Sequence, residues 1–223
     1  TVLAICYTMI IPFLPIYLLE LGVPKADVAL WSGLVFGITF LIAGIMAPIW
    51  GKIADNKGKK RMALRAGFAI AICYVLIGLV TDQYQLLMGR ALVGFANGFY
   101  PAAMTMVSLS VDEKQVGRAL GIFQTGLILG NVIGPFLGGA VESVVGMRPV
   151  FYVSGIAVFI ATLAVLFFVK EPKLHAVGAD GKDQSAHHTK STSLREDFKV
   201  VQQQPVLVRL LWIFFFLQCA IMM

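Results

Sequence analysis

The sequence is poor in charge, and this shortage excludes most classes of soluble protein. Only 13% of its 223 residues are Asp, Glu, Lys or Arg, whereas 58% are hydrophobic; an ordinary soluble domain has about 25% charged residues. None of the 12 acidic residues lies deep inside a long apolar run, and of the 18 basic residues only Arg90 does. Charges that are both few and segregated predict a chain embedded in a membrane.

Other absences narrow the functional classes. The three cysteines, Cys6, Cys73 and Cys219, lie in separate apolar segments, so neither a disulfide framework nor a metal site is expected. No glycine-rich phosphate loop is present, which argues against nucleotide-driven transport, and no nucleophile–base arrangement indicates an enzyme. The net charge of +6 comes from basic residues that flank apolar segments. We therefore expect no binding of nucleic acid.

Long apolar runs dominate what is present. A membrane-spanning helix needs about 20 mostly apolar residues, and six runs of that size are followed by the start of a seventh. These spans cover residues 1–21, 29–50, 62–80, 85–107, 116–141 and 149–169, and then 206–223. The chain begins and ends inside apolar runs, so we expect it to be part of a longer protein. The predicted fold is all-α, a polytopic bundle of membrane helices.

We predict three parts: a six-span bundle over residues 1–169, a linker over 170–205 and the truncated start of span 7 over 206–223. The linker is polar and poor in aromatics, which is typical of disorder. Basic residues cluster after spans 2 and 4 and in the linker. The positive-inside rule therefore places the linker and the N-terminus in the cytoplasm, in a multi-pass protein of the plasma membrane. This layout is typical of transporters built from two six-span halves, each a pair of three-span repeats.

The connection between spans 2 and 3 carries the most specific pattern, GKIADNKGKKR over residues 51–61. We expect Gly51 to let backbones approach closely, and Gly58 to form a tight turn with positive φ. Asp55 is the only acid among five bases, so it should pair with a basic side chain or a helix N-terminus. Such a pair can hold one conformation closed; a merely basic turn is the alternative. The predicted gating loop comprises Gly51, Asp55, Gly58, Lys59, Lys60 and Arg61.

Span 5 has a glycine at every fourth position from Gly126 to Gly138. This spacing puts the glycines in one stripe, where another helix can approach to backbone contact. Pro135 removes a backbone hydrogen bond and can bend the helix. Stripes of small residues are common in membrane bundles, but the added proline and the final glycine pair make this one more specific. The pattern consists of Gly130, Gly134, Pro135, Gly138 and Gly139.

Two charged residues are candidates for proton coupling. Arg90 lies about six residues into span 4, where a charge is costly and faces the bundle interior or water. Six residues make roughly 9 Å of helix, so the alternative is a side chain that snorkels to the interface. Glu20 is the nearest titratable group in span 1, beyond Pro12 and Pro15, and an interfacial position is its alternative. The two prolines predict a distorted outer half of span 1.

Four polar residues inside the spans are candidates for a central cavity: Asn97, Tyr100, Gln124 and Asn131. With the phenylalanines nearby they would form a mostly apolar pocket that has a few hydrogen-bonding groups. Such a pocket suits lipophilic compounds, cationic ones among them. Hydrogen bonds between helices are the alternative for each residue singly.

Together these patterns resemble the major facilitator superfamily, over residues 1–169. The 51–61 segment is similar to the signature loop of that superfamily. The span 5 pattern is similar to the motif of its drug antiporters, and Arg90, Gly94 and Gly98 follow its span 4 pattern. The resemblance therefore points to the drug:proton antiporters.

That resemblance implies export of lipophilic compounds in exchange for protons, by alternating access between two rocking halves. It implies no cofactor, because the proton gradient supplies the energy, and it gives Arg90 a part in proton coupling. The implied partners are small lipophilic substrates, protons and membrane lipids. A sugar or amino-acid permease of the same superfamily is one alternative. A seven-span receptor is another, although it leaves the 51–61 segment unexplained.

Overall fold

The computed structural model describes residues 2–169, apart from the side chains of Lys57 and Glu113. These residues belong to one compact unit, Thr1–Leu174. Within them every regular secondary-structure element is helical. The α-helices are α1 (Val2–Ile10), α2 (Leu14–Glu20), α3 (Val28–Lys57), α4 (Lys59–Gly78), α5 (Gln83–Ala96), α6 (Phe99–Leu109), α7 (Val116–Val145) and α8 (Met147–Phe168), with 3-10 turns at Ile11–Phe13 and Glu113–Gln115. The predicted linker and the start of span 7 lie outside the described residues.

In the described range, six stretches are long and apolar enough to cross a membrane. They are span 1 (Val2–Glu20), span 2 (Val28–Asn56), span 3 (Lys59–Gly78), span 4 (Gln83–Leu109), span 5 (Val116–Val145) and span 6 (Met147–Phe168). This confirms the all-α membrane fold that hydropathy predicts. Spans 1 and 4 each consist of two helices, α1 with α2 and α5 with α6, whereas each of the other spans is a single helix.

The connection between spans 2 and 3 is much shorter in the structure than the sequence predicts. Helix α3 continues to Lys57 and α4 begins at Lys59, so Gly58 is the single non-helical residue between them. Its φ of +93° is a conformation that glycine adopts without a steric penalty. The charged residues of the 51–61 segment end the apolar run, but Lys, Ala and Arg are good helix formers. The helices therefore extend beyond the limits that hydropathy alone indicates.

The core lies where spans 1, 3, 4 and 6 meet. Its fully buried side chains include Leu14, Ile77, Leu86 and Phe151. Spans 3 and 6 approach closely at glycines: a Cβ added at Gly155 would lie only 3.1 Å from the carbonyl oxygen of Ala71. Close approach of helices at small residues is typical of packing in membranes.

Spans 2 and 5 instead carry many exposed apolar side chains. Examples are Leu41 and Ile45 on span 2, and Ile122 and Phe136 on span 5. Phe136 has 76% of its surface exposed, and soluble proteins rarely leave a continuous face of such residues in water. These two spans therefore offer surfaces suited to lipid or to further protein segments.

Candidate functional site

Span 1 is interrupted in its middle. The 3-10 turn Ile11–Phe13 contains Pro12, and Pro15 lies in the first turn of α2. Each proline lies at the start of a helical segment. A backbone N–H at that position has no hydrogen-bond partner within the helix, so proline removes no helical bond there. Glu20 is the last residue of α2 and its side chain is exposed. The distortion expected from the prolines is present, and it begins halfway along the span.

The glycine stripe of span 5 packs directly on α1. A Cβ added at Gly134 would lie 2.8 Å from the carbonyl oxygen of Ile5 and would overlap the hydroxyl of Thr8. A Cβ at Gly138 would lie 3.0 Å from Cγ of Met9. The Thr8 hydroxyl also donates a hydrogen bond to the carbonyl of Gly130, at 3.2 Å. The two helices therefore touch backbone to backbone along this stripe.

The other two residues of the span 5 pattern have different surroundings. Pro135 lies inside α7, and that helix runs unbroken from Val116 to Val145. A Cβ at Gly139 would be 3.4 Å from the ring of Phe13, which is a close but ordinary contact. The proline thus removes one hydrogen bond of α7 without dividing the helix.

Arg90 lies inside the bundle and does not extend to the interface. Only 2% of its surface is exposed, and its guanidinium lies near the phenol groups of Tyr7 and Tyr74. Within residues 2–169, neither Nε nor Nη2 of Arg90 has a hydrogen-bond partner. A buried cation with open donors is costly in a membrane protein and marks a candidate functional site.

Span 4 is interrupted at Asn97 and Gly98, a break that the sequence analysis does not predict. Helix α5 ends at Ala96, and Gly98 has a φ of +133°. The Asn97 side-chain oxygen accepts a hydrogen bond of 2.8 Å from the N–H of Gly98. A helix end leaves its last carbonyl groups without helical partners, and here these groups lie in the middle of a span.

Side chains of spans 2 and 3 satisfy two of those carbonyls. The indole N–H of Trp50 donates to the carbonyl of Phe95 at 2.8 Å, and Nη2 of Arg65 donates to the carbonyl of Ala96 at 3.5 Å. The Arg65 guanidinium also lies 3.6 Å from the centre of the Trp50 ring, in a cation–π contact. We call this pair the Trp50–Arg65 clasp.

A cavity of about 500 Å³ lies between spans 2, 3 and 4, beside this break. Asp55 and Lys59 of the 51–61 segment line it together with Asn97, Tyr100 and Thr105 of span 4. Most of the remaining lining is alanine and glycine. The structure thus brings three of the six predicted gating residues and two of the four predicted cavity residues to one mostly apolar cavity with a few polar groups.

The partner of Asp55 is Lys59. The Lys59 ammonium lies 3.1 Å from Oδ1 of Asp55, across the Gly58 turn, and 69% of the Asp55 side chain is exposed. An exposed pair of this kind contributes about 0–1 kcal/mol. Lys60 donates instead to the carbonyl of Leu166 on span 6, at 2.9 Å, and Arg61 is exposed. The acid is therefore held only weakly.

Three sequence-based assignments need correction. A Cβ added at Gly51 would meet nothing within 4 Å, so Gly51 lines the cavity and makes no close backbone approach. Gln124 does not line this cavity but donates to the Tyr100 hydroxyl at 2.8 Å, which is the hydrogen bond between helices considered as the alternative. Asn131 is exposed on span 5, one position from the glycine stripe, and also lies outside the cavity lining.

Comparison with known proteins shows the family of the chain. The family model described as Major Facilitator Superfamily matches residues 1–223. The chain is 44% identical over 166 residues to multidrug resistance protein MdtG of Proteus mirabilis (strain HI4320), which is 74% of this chain and 41% of that protein. The identity is 40% for MdtG of Dickeya zeae (strain Ech586), with the same coverage, and 42% for MdtG of Yersinia enterocolitica, of which 40% is covered. The chain spans about two fifths of the length of these relatives. It belongs to the Major Facilitator Superfamily.

Proposed function

We propose that this protein exports small lipophilic compounds across the cell membrane in exchange for protons, by alternating access. The observation that carries the proposal is the cavity that the 51–61 segment shares with the interrupted span 4. Similarity to relatives named multidrug resistance proteins supports drug-like compounds as the substrates. In this proposal the ends of spans 2 and 3 that meet at Gly58 face the cytoplasm.

The cavity suits lipophilic substrates. Ligand pockets are typically 300–1,000 Å³ and mostly apolar, with a few polar groups that fix orientation, and the volume here is about 500 Å³. Asp55 contributes an exposed carboxylate to its wall, whereas Asn97 and Thr105 contribute neutral hydrogen-bonding groups. A wall of this kind favours compounds with a large apolar body, cationic ones among them, over sugars, which need many fixed polar contacts.

The weak Asp55–Lys59 pair fits a gate that must open in every cycle. A latch that contributes about 0–1 kcal/mol can be exchanged for another contact of similar strength as the conformation changes. Because Gly58 is the only residue between α3 and α4, a shift of Asp55 moves the ends of both helices. We therefore assign Asp55 the role of a gating residue at the cavity rim.

Proton coupling requires a group whose protonation favours one conformation over the other. Within residues 2–169 the buried charged side chain is Arg90. Its Nε and Nη2 have no hydrogen-bond partner there. Arg90 is therefore the strongest candidate to bind the group that carries the proton, or the counter-ion of that group. Glu20 is the second candidate, because it is the acid at the end of span 1.

The test is efflux of a fluorescent lipophilic cation from cells that express the full-length gene product. We expect efflux by the natural protein to stop when an ionophore collapses the proton gradient. Asp55→Asn should lower efflux to the level of cells without the protein, while its amount in the membrane stays the same. Asp27→Asn is the matched control, because Asp27 is an exposed acid before the other end of span 2.

Efflux that persists without a proton gradient would refute the coupling. Full efflux by Asp55→Asn would refute the gating role. Proton-driven uptake of a sugar or an amino acid, without dye efflux, would replace the proposal with a metabolite permease.

A further inference from the structure

The two halves of span 4 are held very differently. The first half, α5, is clamped to its neighbours: a Cβ added at Gly94 would lie 3.2 Å from Cβ of Ile42 on span 2, and one at Gly89 would lie 2.6 Å from Cγ1 of Ile77 on span 3. The Thr39 hydroxyl also donates to the carbonyl of Arg90, at 3.2 Å. These contacts leave α5 no room to shift without disturbing spans 2 and 3.

The second half, α6, borders a recess on each of two sides. Of its 11 residues only Ala102 and Met106 are buried. One side faces the cavity of about 500 Å³. The other faces a second cavity of about 240 Å³, which α6 lines together with Ala63 of span 3 and Val165 of span 6. A helix with few buried contacts and space beside it can move at low cost, whereas a close-packed one cannot.

The junction between the two halves has the properties of a hinge. Gly98 has a backbone conformation, φ of +133°, that other residues rarely adopt, and it allows the direction of the chain to change within one residue. The carbonyls of Phe95 and Ala96 that this bend releases are satisfied by Trp50 and Arg65. A cation at a helix C-terminus also interacts favourably with the helix dipole.

The clasp links this junction to the gate. Trp50 precedes the 51–61 segment on α3, and Arg65 follows it on α4. Their stacking contact therefore bridges the two helices that meet at Gly58, a few residues from Asp55. If α3 turns relative to α4, the guanidinium leaves the indole ring, and at least one of the two carbonyls loses its donor.

We propose that Asn97–Gly98 is a hinge about which α6 moves against the fixed α5, and that Trp50 and Arg65 are positioning residues that hold its bent state. Movement of the 51–61 segment separates Trp50 from Arg65, and the movement of α6 that follows changes the width of the cavity. The link to transport rests on the proposed function, whereas the hinge itself is tested by geometry alone.

The experiment measures a distance within span 4 of the full-length gene product in lipid nanodiscs. Spin labels are attached at Leu92 and Leu109, one exposed position on each side of the hinge, after the native cysteines are replaced by alanine. A continuous helix would separate these 17 positions by about 26 Å. In the natural protein, where the clasp is intact, we expect a shorter mean distance between the labels and a narrow distribution of distances. Trp50→Phe and Arg65→Lys should each broaden it or shift it towards that value, because each variant breaks one bond of the clasp.

Two matched controls separate the clasp from general damage. Trp31→Phe makes the same change on the same helix, where the ring makes an edge-on contact with Tyr84. Arg118→Lys changes an exposed arginine of span 5. Both should leave the distribution as it is in the natural protein.

The outcomes are distinct. A distribution that is unchanged in both clasp variants overturns the hinge, even if efflux falls, because Trp50 and Arg65 would then act only on local stability. A changed distribution with full efflux overturns the link between the hinge and transport. A changed distribution together with reduced efflux supports both. Asp55→Asn, assayed by efflux alone, tests the proposed function independently.

Discussion

Spans 1 and 4 are the two interrupted spans among the six, and each is the first span of a predicted three-span repeat. The interruptions have different causes. In span 1 the prolines Pro12 and Pro15 start new helical segments, and the chain stays in ordinary right-handed geometry. In span 4 the glycine Gly98 adopts a φ of +133°. Interrupted helices at corresponding positions of a repeat often mark the transport pathway.

The surroundings differ more than the breaks do. Both halves of span 1 are fixed: Thr8 and the glycines of span 5 hold α1, and the Tyr17 hydroxyl of α2 donates to the carbonyls of Ile77 and Val80 at 3.1 and 3.3 Å. In span 4 the first half is clamped, whereas the second half has a cavity on either side. A break becomes a hinge only where one side of it has room to move.

We expect the largest effect from a substitution in the close contact that fixes span 1 against span 5. Gly134→Ala places a Cβ 2.8 Å from a backbone carbonyl of α1, which cannot rotate away. Overpacking of this kind costs about 1–3 kcal/mol, and we expect the upper end of that range because the contact is with backbone. The measurement is the thermal unfolding midpoint in detergent.

Gly121→Ala serves as its control, since it makes the same change on the same helix where a Cβ would meet nothing within 4 Å. An equal loss of stability in both variants would contradict the packing of spans 1 and 5.

A smaller effect is expected at the hinge. Gly98→Ala introduces no collision, because the nearest atoms to the new Cβ are 3.8 Å away. The cost is that of the backbone conformation, of the order of 1–2 kcal/mol. We expect part of the population to avoid this cost by straightening span 4, which the Leu92–Leu109 label distance would report. If the distance stays at its natural value while stability is lost, the bend is as rigid as that of span 1.

The smallest effect is expected from Tyr17→Phe, which leaves the ring in place 5.0 Å from that of Phe151. It removes a hydroxyl that two carbonyls share, so the free energy of unfolding should fall by about 1 kcal/mol. Efflux per folded molecule should not change, because the fixed bend of span 1 is a structural feature in this comparison. Tyr84→Phe, at an exposed tyrosine, is the control. A loss of efflux without a loss of stability would mean that span 1 also moves.

The sequence predicts most of this fold because hydropathy and glycine spacing are local signals. Six spans follow from apolar runs, and a close helix contact along span 5 follows from the stripe that includes Gly130 and Gly134, although the stripe does not indicate that span 1 is the partner. The turn at Gly58 is predictable because glycine adopts positive φ without a steric penalty. The lengths of the two helices beside it are not, because both helices extend beyond the apolar runs. The break in span 4 could be predicted from Asn97–Gly98, which is a turn-forming pair. The apolar residues on both sides of this pair instead indicate one continuous span.

The contacts that complete the site have no local signal. Trp50 and Arg65 lie 15 positions apart on different helices and meet at carbonyls of a third one. Nothing in the spacing of the two residues indicates that contact. In the same way, the sequence groups Gln124 and Asn131 with the cavity because both are polar, whereas the rotation of span 5 about its glycine stripe turns them elsewhere. Helix rotation depends on packing between spans, which a single sequence does not encode in any short window.

The burial of Arg90 has a consequence for how the molecule is made. The tyrosines that share its surroundings, Tyr7 and Tyr74, belong to spans 1 and 3 and leave the ribosome before span 4. A guanidinium that entered lipid alone would pay the full cost of a charge in hydrocarbon. Here the phenol groups are synthesised first, so the nascent chain can offer polar surroundings by the time Arg90 is inserted. The order of these three residues along the chain is thus the one that would lower the cost of inserting Arg90.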